Sequence, residues 1–458
     1  MAKLLSTATV FQKFPITVEA DRNSKFLRAI LLTPSVLHRN ASTKASSTPP
    51  SSAYIHLPFC HKRCHYCDFA IIALGSASHS DSIPLIGDYT NLIIREIAST
   101  NPAASFRAPL NTIFFGGGTP SLVSPKSVSS ILEALENRFG ISDDAEISME
   151  MDPGTFDSKK LSDFMKLGVN RVSLGVQAFQ EELLRACGRS HGVKEVYKAI
   201  DDVTNCGVQN WSLDLISSLP HQTADMWRES LTITAEQAQP SHISVYDLQI
   251  EQGTKFGNLY NPGEFPLPSE SQSAEFYKTA STLLSSHGYN HYEISSYSKP
   301  GFECKHNSTY WLNKPFYGFG MSAASFLEGV RFSRPRKIKE YAEYVRRLEE
   351  NGDQDPGSCD KNAMDDAMDV VMLSLRTSKG LDVRLFRDKF GDIVLQSILG
   401  IWKPYIETGH VICLGDDRKP VIIEDEKIRE LKFIRLSDPL GFLLSNELIS
   451  LAFRAISP

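Results

Sequence analysis

Cysteine is scarce and unevenly placed: eight occur in 458 residues, and three of them, Cys60, Cys64 and Cys67, fall within eight positions. The other five, Cys187, Cys206, Cys304, Cys359 and Cys413, are scattered singly and read as structural. A chain this large with so few cysteines has no disulfide framework, and a reducing compartment suits it. No apolar run is long enough to span a bilayer, so no membrane span is expected. A basic excess is also missing: the formal net charge is −6, which gives no field for a general nucleic-acid binder. Acidic residues are nearly absent from the first fifty positions, where only Glu19 and Asp21 occur among several Lys and Arg. That composition, with the Ser/Thr/Ala/Pro stretch Asn40–Ser52, fits an organellar transit peptide over 1–50, mitochondrial or chloroplast. A disordered tail on a cytoplasmic protein is the alternative.

From Ser51 onward, short β-branched runs alternate with segments of helical spacing. The runs are Tyr54–Phe59, Thr112–Phe115, Glu146–Met151, Arg171–Val176, Trp211–Ile216 and His242–Ile250. Six β-α units predict a parallel sheet with right-handed crossovers, curled into an incomplete (β/α)6 TIM-like barrel over 51–265. An open doubly wound sheet is the rival. Residues 266–352 read as an extension, with a helix at Ser269–His287, a strand at His291–Tyr297 and an aromatic, glycine-punctuated loop at Cys304–Ser325. After a Gly/Pro/Asp-rich break at Gly352–Cys359, residues 353–458 read as a smaller α/β or winged-helix-like domain.

In either architecture ligands bind at the carboxyl ends of the strands. The cysteines follow the first strand at C-x3-C-x2-C spacing. A closed zinc site needs four ligands, and no fourth cysteine follows. Three thiolates on a cubane [4Fe–4S] cluster instead leave one iron open to a non-protein ligand. A structural zinc site on a barrel of other function is the remaining alternative. Gly116, Gly117 and Gly118 end the second strand, where a backbone without Cβ admits close approach. Glu150, Gln177, Arg189 and Asp214 supply carboxylates, an amide and a guanidinium suited to a small zwitterion.

These residues match a family. Tyr54–Phe59 with Cys60, Cys64, Tyr66 and Cys67, the glycine run with Thr119-Pro120, and Glu150-Met-Asp-Pro-Gly-Thr155 resemble the radical S-adenosylmethionine enzymes. Ser173-Leu-Gly-Val-Gln-Ala-Phe179, Asp214-Leu-Ile-Ser-Ser-Leu-Pro220 and Tyr292-Glu-Ile-Ser295 narrow the resemblance to one branch. That branch holds oxygen-independent coproporphyrinogen III oxidase and the heme chaperones. The resemblance implies that Cys60, Cys64 and Cys67 bind the cluster. It also implies S-adenosylmethionine contacts at Tyr54, Tyr66, Gly118, Thr119, Glu150, Gln177, Arg189 and Asp214. Reductive cleavage of that cofactor to a 5′-deoxyadenosyl radical would need an electron donor. Catalytic residues are not assigned.

Within the branch, the oxidase type carries a further cysteine two residues after the third; Asp68-Phe69 here resembles the chaperone type. Phe302-Glu-Cys-Lys-His306-Asn307-Ser-Thr-Tyr310-Trp311 resembles the chaperones' H-N-x-x-Y-W element and implies His306 as an axial heme ligand, with Cys304 a weaker second. The implied function is heme binding and delivery to acceptor proteins. The alternative is oxidative decarboxylation of coproporphyrinogen III to protoporphyrinogen IX. Two departures bear on substrate or heme contact. The usual D-L-I-Y-G-L-P-G-Q-T has Ser217, Ser218 and His221 in place of Tyr, Gly and Gly, and Gly318–Ser325 lacks the histidine often found before the serine.

Overall fold

The computed structural model describes residues 48–75, 84–101, 108–352, 363–421 and 430–457. Residues 1–47 of the segment read as a transit peptide, and most of the Gly352–Cys359 break with Cys359, lie outside them. Six parallel strands follow one another as expected: β1 (Ser52–Leu57), β2 (Leu110–Gly117), β3 (Ile141–Met151), β4 (Arg171–Gln177), β5 (Asn210–Ser217) and β6 (His242–Asp247). The hairpin β7 (Asn290–Glu293) and β8 (Ser296–Ser298) adds antiparallel to β6, and β9 (Tyr317–Phe319) adds parallel to β1. The order β9-β1-β2-β3-β4-β5-β6-β8-β7 leaves two unjoined edges, so the barrel is incomplete.

Alternation along the strands gives the sheet two different faces. Ala53, Ile55, Leu57, Ile113, Phe115, Met149, Val172, Leu174, Leu213 and Ile243 point one way and join a continuous apolar core beneath the helices. The intervening positions are mostly polar: Tyr54, His56, Thr112, Glu146, Ser148, Glu150, Arg171, Ser173, Ser212, Asp214, His242 and Ser244, with the Phe114 ring among them. Register lines them up in rows, with Glu150 beside Ser173, Ser173 beside Ser212, and Asp214 beside Ser244. Buried polar groups are costly unless paired, and most of these are hydrogen-bonded; Ser148 Oγ and Arg171 Nε have no partner among the described residues. Asp214 accepts from Ser173 Oγ at 2.8 Å and from Ser212 Oγ at 2.9 Å. The barrel interior is a polar network, unlike the branched aliphatic layers that fill a closed TIM barrel.

The region expected as a loop at Cys304–Ser325 is instead a short helix, α1 (Lys305–Trp311), followed by β9 and the strand Ala324–Leu327. Sequence periodicity missed the helix because its support comes from elsewhere. Glu146 on β3 accepts from the free backbone N–H groups of Lys305 (3.2 Å) and His306 (3.1 Å), and the Cys304 sulfur accepts from Asn307 N–H. The expected single strand His291–Tyr297 is the hairpin β7–β8. Toward the C-terminus the order is helix Ala363–Leu375, strand Leu381–Asp382, helices Val383–Phe390 and Asp392–Glu407, then strands Val411–Leu414 and Phe433–Leu436. The last strand lies between the other two, the arrangement of a winged helix.

Candidate functional site

The loop after β1 carries the cysteine motif and is braced at several points. Its base is a parallel pairing of Phe59–Cys60 with Ile72–Ala73. Arg63 donates to the carbonyls of Cys67 (3.2 Å) and Phe69 (2.9 Å), and the His65 N–H donates to Cys187 O at 2.9 Å. Cys60, Cys64 and Cys67 are all free and partly exposed. Burial pushes the Cys60 thiol up to about 12, against an opposing hydrogen bond from Thr119 at 3.4 Å, and burial raises Cys67 as well. These groups stay protonated until a metal supplies the positive charge that makes them thiolates. Among the described residues, no three His, Cys, Asp or Glu converge as a single-ion site would. A cubane needs no such convergence, because each thiolate binds a different iron.

The glycine run serves its own chain first. A Cβ on Gly118 would lie 2.6 Å from the Pro58 carbonyl carbon and 2.7 Å from Phe59 O; one on Gly117 would lie 2.7 Å from the His56 ring. The Gly118 and Thr119 N–H groups are taken by Leu57 O (2.8 Å) and Phe59 O (2.7 Å). The glycines therefore let β2 pass tightly against the root of the cysteine loop. The Gly117 N–H donates to Glu150 at 2.9 Å, which ties the end of β3 to the same corner.

Arg189 joins the site to the cysteine loop. Its guanidinium donates to Tyr66 OH at 3.2 Å, to Cys64 Sγ at 3.4 Å and to Gly175 O at 3.2 Å, and it is ion-paired with Asp152. Its Nε is buried with no partner among the described residues. Asp152 also accepts from Ser190 Oγ at 3.2 Å and lies 3.4 Å from His191 Nδ1. Burial is the largest influence and would raise the Asp152 carboxyl, but the Arg189 guanidinium together with His191 and Ser190 outweighs it and holds the group below the usual range. Burial works the other way on the two carboxylates inside the barrel. It raises Asp214 against the hydroxyls that donate to it, and it raises Glu150 up to about 7, helped by Asp214 and opposed by Gly117 N–H. Gln177 closes β4 in the left-handed region, φ +72°, which an L-residue adopts only under strain. Tyr54 meets His56 Nδ1 through its hydroxyl at 3.2 Å and stacks near Phe114.

The eight residues expected to contact S-adenosylmethionine are thus distributed over β1–β5, their C-terminal turns and the cysteine loop. Sequence reading met Asp152 only within the Glu150–Thr155 motif and missed its pairing with Arg189, along with His56, His191 and Glu146. No local pattern marks the pairing of Arg189 with Asp152, which lie 37 residues apart, or of Glu146 with the start of α1.

His306 lies apart from the cysteine loop. It is 1% exposed, with Nδ1 2.7 Å from Thr112 Oγ1, Nε2 2.7 Å from Tyr310 OH, and its ring stacked 5.2 Å from Phe114. Burial, with Arg171 nearby, lowers its pKa to about 3. A ligand role for His306 therefore requires one of these two hydrogen bonds to break first.

Against known proteins, the sequence profile described as Radical SAM superfamily matches residues 54–232. A protein of Synechocystis named heme chaperone HemW is 39% identical over 407 residues, 89% of this chain and 97% of its own. The chain belongs to the HemW family. A Bacillus subtilis protein of the same name is 34% identical over 341 residues, covering 74% of this chain and 87% of its own. The mitochondrial radical S-adenosyl methionine domain-containing protein 1 of Danio rerio is 31% identical over 60% of each chain. Among solved structures, coproporphyrinogen III oxidase (HemN) from Escherichia coli aligns with a TM-score of 0.69 at 21% identity, over 88% of this chain and 90% of its own. At that identity the likeness is one of fold. The HemW family is a radical S-adenosylmethionine family, and membership implies a [4Fe–4S] cluster and S-adenosylmethionine for this chain.

Proposed function

We propose that this protein binds heme and passes it to acceptor proteins, on a barrel that holds a [4Fe–4S] cluster at Cys60, Cys64 and Cys67 with S-adenosylmethionine beside it. The observation that carries the reading is the similarity to proteins named heme chaperone HemW, which reaches 39% identity over 97% of one relative's length. The site's donor set fits the cofactors. Three thiols on one braced loop leave a coordination position for a small molecule. The orphaned Arg189 Nε suits a carboxylate, and half-buried Glu150 and Asp214 suit an ammonium and ribose hydroxyls. When reduced, such a cluster supplies one electron for cleavage of a sulfonium C–S bond, drawn from a donor protein.

In this reading Tyr66, Arg189 and Asp152 orient the carboxylate, Tyr54 and Gln177 close the rim, and Thr119 holds the Cys60 sulfur. Residues 1–50 would direct import into an organelle. The test is an anaerobic preparation with reconstituted cluster. Heme uptake, read as a Soret band that saturates with added heme, supports the proposal. Conversion of coproporphyrinogen III to protoporphyrinogen IX, without heme uptake, would replace it with the oxidase reading.

A further inference from the structure

The two family glycines that this chain lacks, at Ser218 and His221, sit on left-handed backbone, with φ of +62° and +66°. Glycine adopts that region without a steric cost, and an L-residue does not. Ser218 offsets the cost locally, since its hydroxyl donates to Asp247 Oδ1 at 2.6 Å and lies 2.8 Å from Ser273 Oγ, from which it can accept. His221 has no such bond. Its imidazole is exposed, neither ring nitrogen is hydrogen-bonded among the described residues, and its one ring contact is edge-on with Phe265 at 5.4 Å. Phe265 is 86% exposed.

The pair is held in place by backbone. The His221 N–H donates to Pro266 O at 2.7 Å, which links the turn after β5 to the loop after β6. That second loop also covers the cysteine motif, where Phe256 meets the His65 ring at 5.8 Å and the Tyr66 ring at 6.3 Å. His221 and Phe265 therefore stand on the rim that carries the cysteines. The other histidines near the site differ. His56, His242 and His306 have both ring nitrogens engaged inside the barrel. His61, next to Cys60, has no aromatic ring against it among the described residues.

We infer that His221 with Phe265 forms a surface site for an iron porphyrin, His221 supplying the axial nitrogen and Phe265 an apolar face. The inference rests on the proposed heme-binding function and assigns that function to side chains accessible in the folded protein. Imidazole is a common axial ligand to heme iron, and an aromatic ring covers porphyrin surface well.

The test is a heme titration of the full-length, cluster-reconstituted protein, read by Soret position and low-spin EPR signal. Wild type is compared with His221→Gly, Phe265→Ala and His306→Ala. His221→Gly also relieves the backbone, so its melting temperature should equal or exceed that of wild type, which separates ligand loss from misfolding. We expect His221→Gly to weaken heme binding roughly tenfold or more and to shift the Soret band. Phe265→Ala weakens binding with the band unmoved, and His306→Ala leaves both unchanged. If wild type binds heme and His221→Gly binds it with the same affinity and spectrum, this inference is overturned and the heme-binding function stands. If wild type takes up no heme, the proposed function itself fails.

Discussion

Asp152→Ala should destabilise this protein more than any other single change at the rim. In the folded state its carboxylate is 13% exposed and its partner guanidinium 11%. Removing one member of a pair buried to that degree leaves an uncompensated charge and costs about 3–5 kcal/mol. Ser190 and His191 lose an acceptor in the same step. Asp152→Asn keeps the shape and a hydrogen bond but loses the charge, and should cost about 1.5–3 kcal/mol. The assay is equilibrium urea unfolding of the cluster-free protein, followed by tryptophan fluorescence on both unfolding and refolding limbs. A cycle with Arg189→Met isolates the pair: the double variant should be more stable than Asp152→Ala alone, because no buried charge is left unpaired. The sign with pH follows from the depressed carboxyl. Its stabilisation is present above the ordinary aspartate pKa and is lost as pH falls through the lower folded value, so wild type and Asp152→Asn should converge in acid. An Asp152→Ala midpoint equivalent to within about 0.5 kcal/mol of wild type would refute the reasoning.

Glu150 titrates in the opposite sense. Its folded pKa is raised to about 7 from 4.5, so its contribution to stability is complete below 4.5 and lost as pH rises through 7, and Glu150→Gln should flatten that slope. Wild type should bind S-adenosylmethionine more weakly below about pH 7, read by calorimetry, and Glu150→Gln should lose that dependence; a retained pH profile would remove Glu150 from the site. Gly118→Ala places a methyl 2.6 Å from backbone that cannot yield, so a loss of roughly 1–3 kcal/mol and of cluster iron and sulfide per chain is expected. Full cluster content in that variant would show that the β1–β2 contact does not shape the cysteine loop. Residues 1–50 fused to a fluorescent protein should carry it into mitochondria or plastids, and diffuse cytosolic signal would count against import.

Much of this architecture was legible in the chain. The six parallel strands stand out because each is a short β-branched run set between helical segments, and their C-terminal ends carry the glycines, carboxylates and cysteines. The edges were harder. Strand β9 has three residues, Tyr317–Phe319, and joins β1 across more than 260 positions, a pairing no local pattern encodes. Helix α1 was read as loop because Glu146 on a distant strand satisfies its first N–H groups. The same holds in the site. The cysteine spacing announces itself, whereas Asp152 looks like any strand-end carboxylate until Arg189 is brought to it. His306 illustrates the converse. Its motif marks it as a ligand, and only packing reveals that Thr112 and Tyr310 occupy both of its nitrogens.

Heme hand-over tests the central claim most directly. The protein is loaded with one equivalent of heme, freed of excess, and mixed anaerobically with an apo-hemoprotein whose holo form has a distinct Soret maximum. Transfer predicts that the absorbance moves to the acceptor's maximum while this chain elutes heme-free in gel filtration. Heme that stays with this chain, or that reaches the acceptor no faster than free heme does, would contradict it.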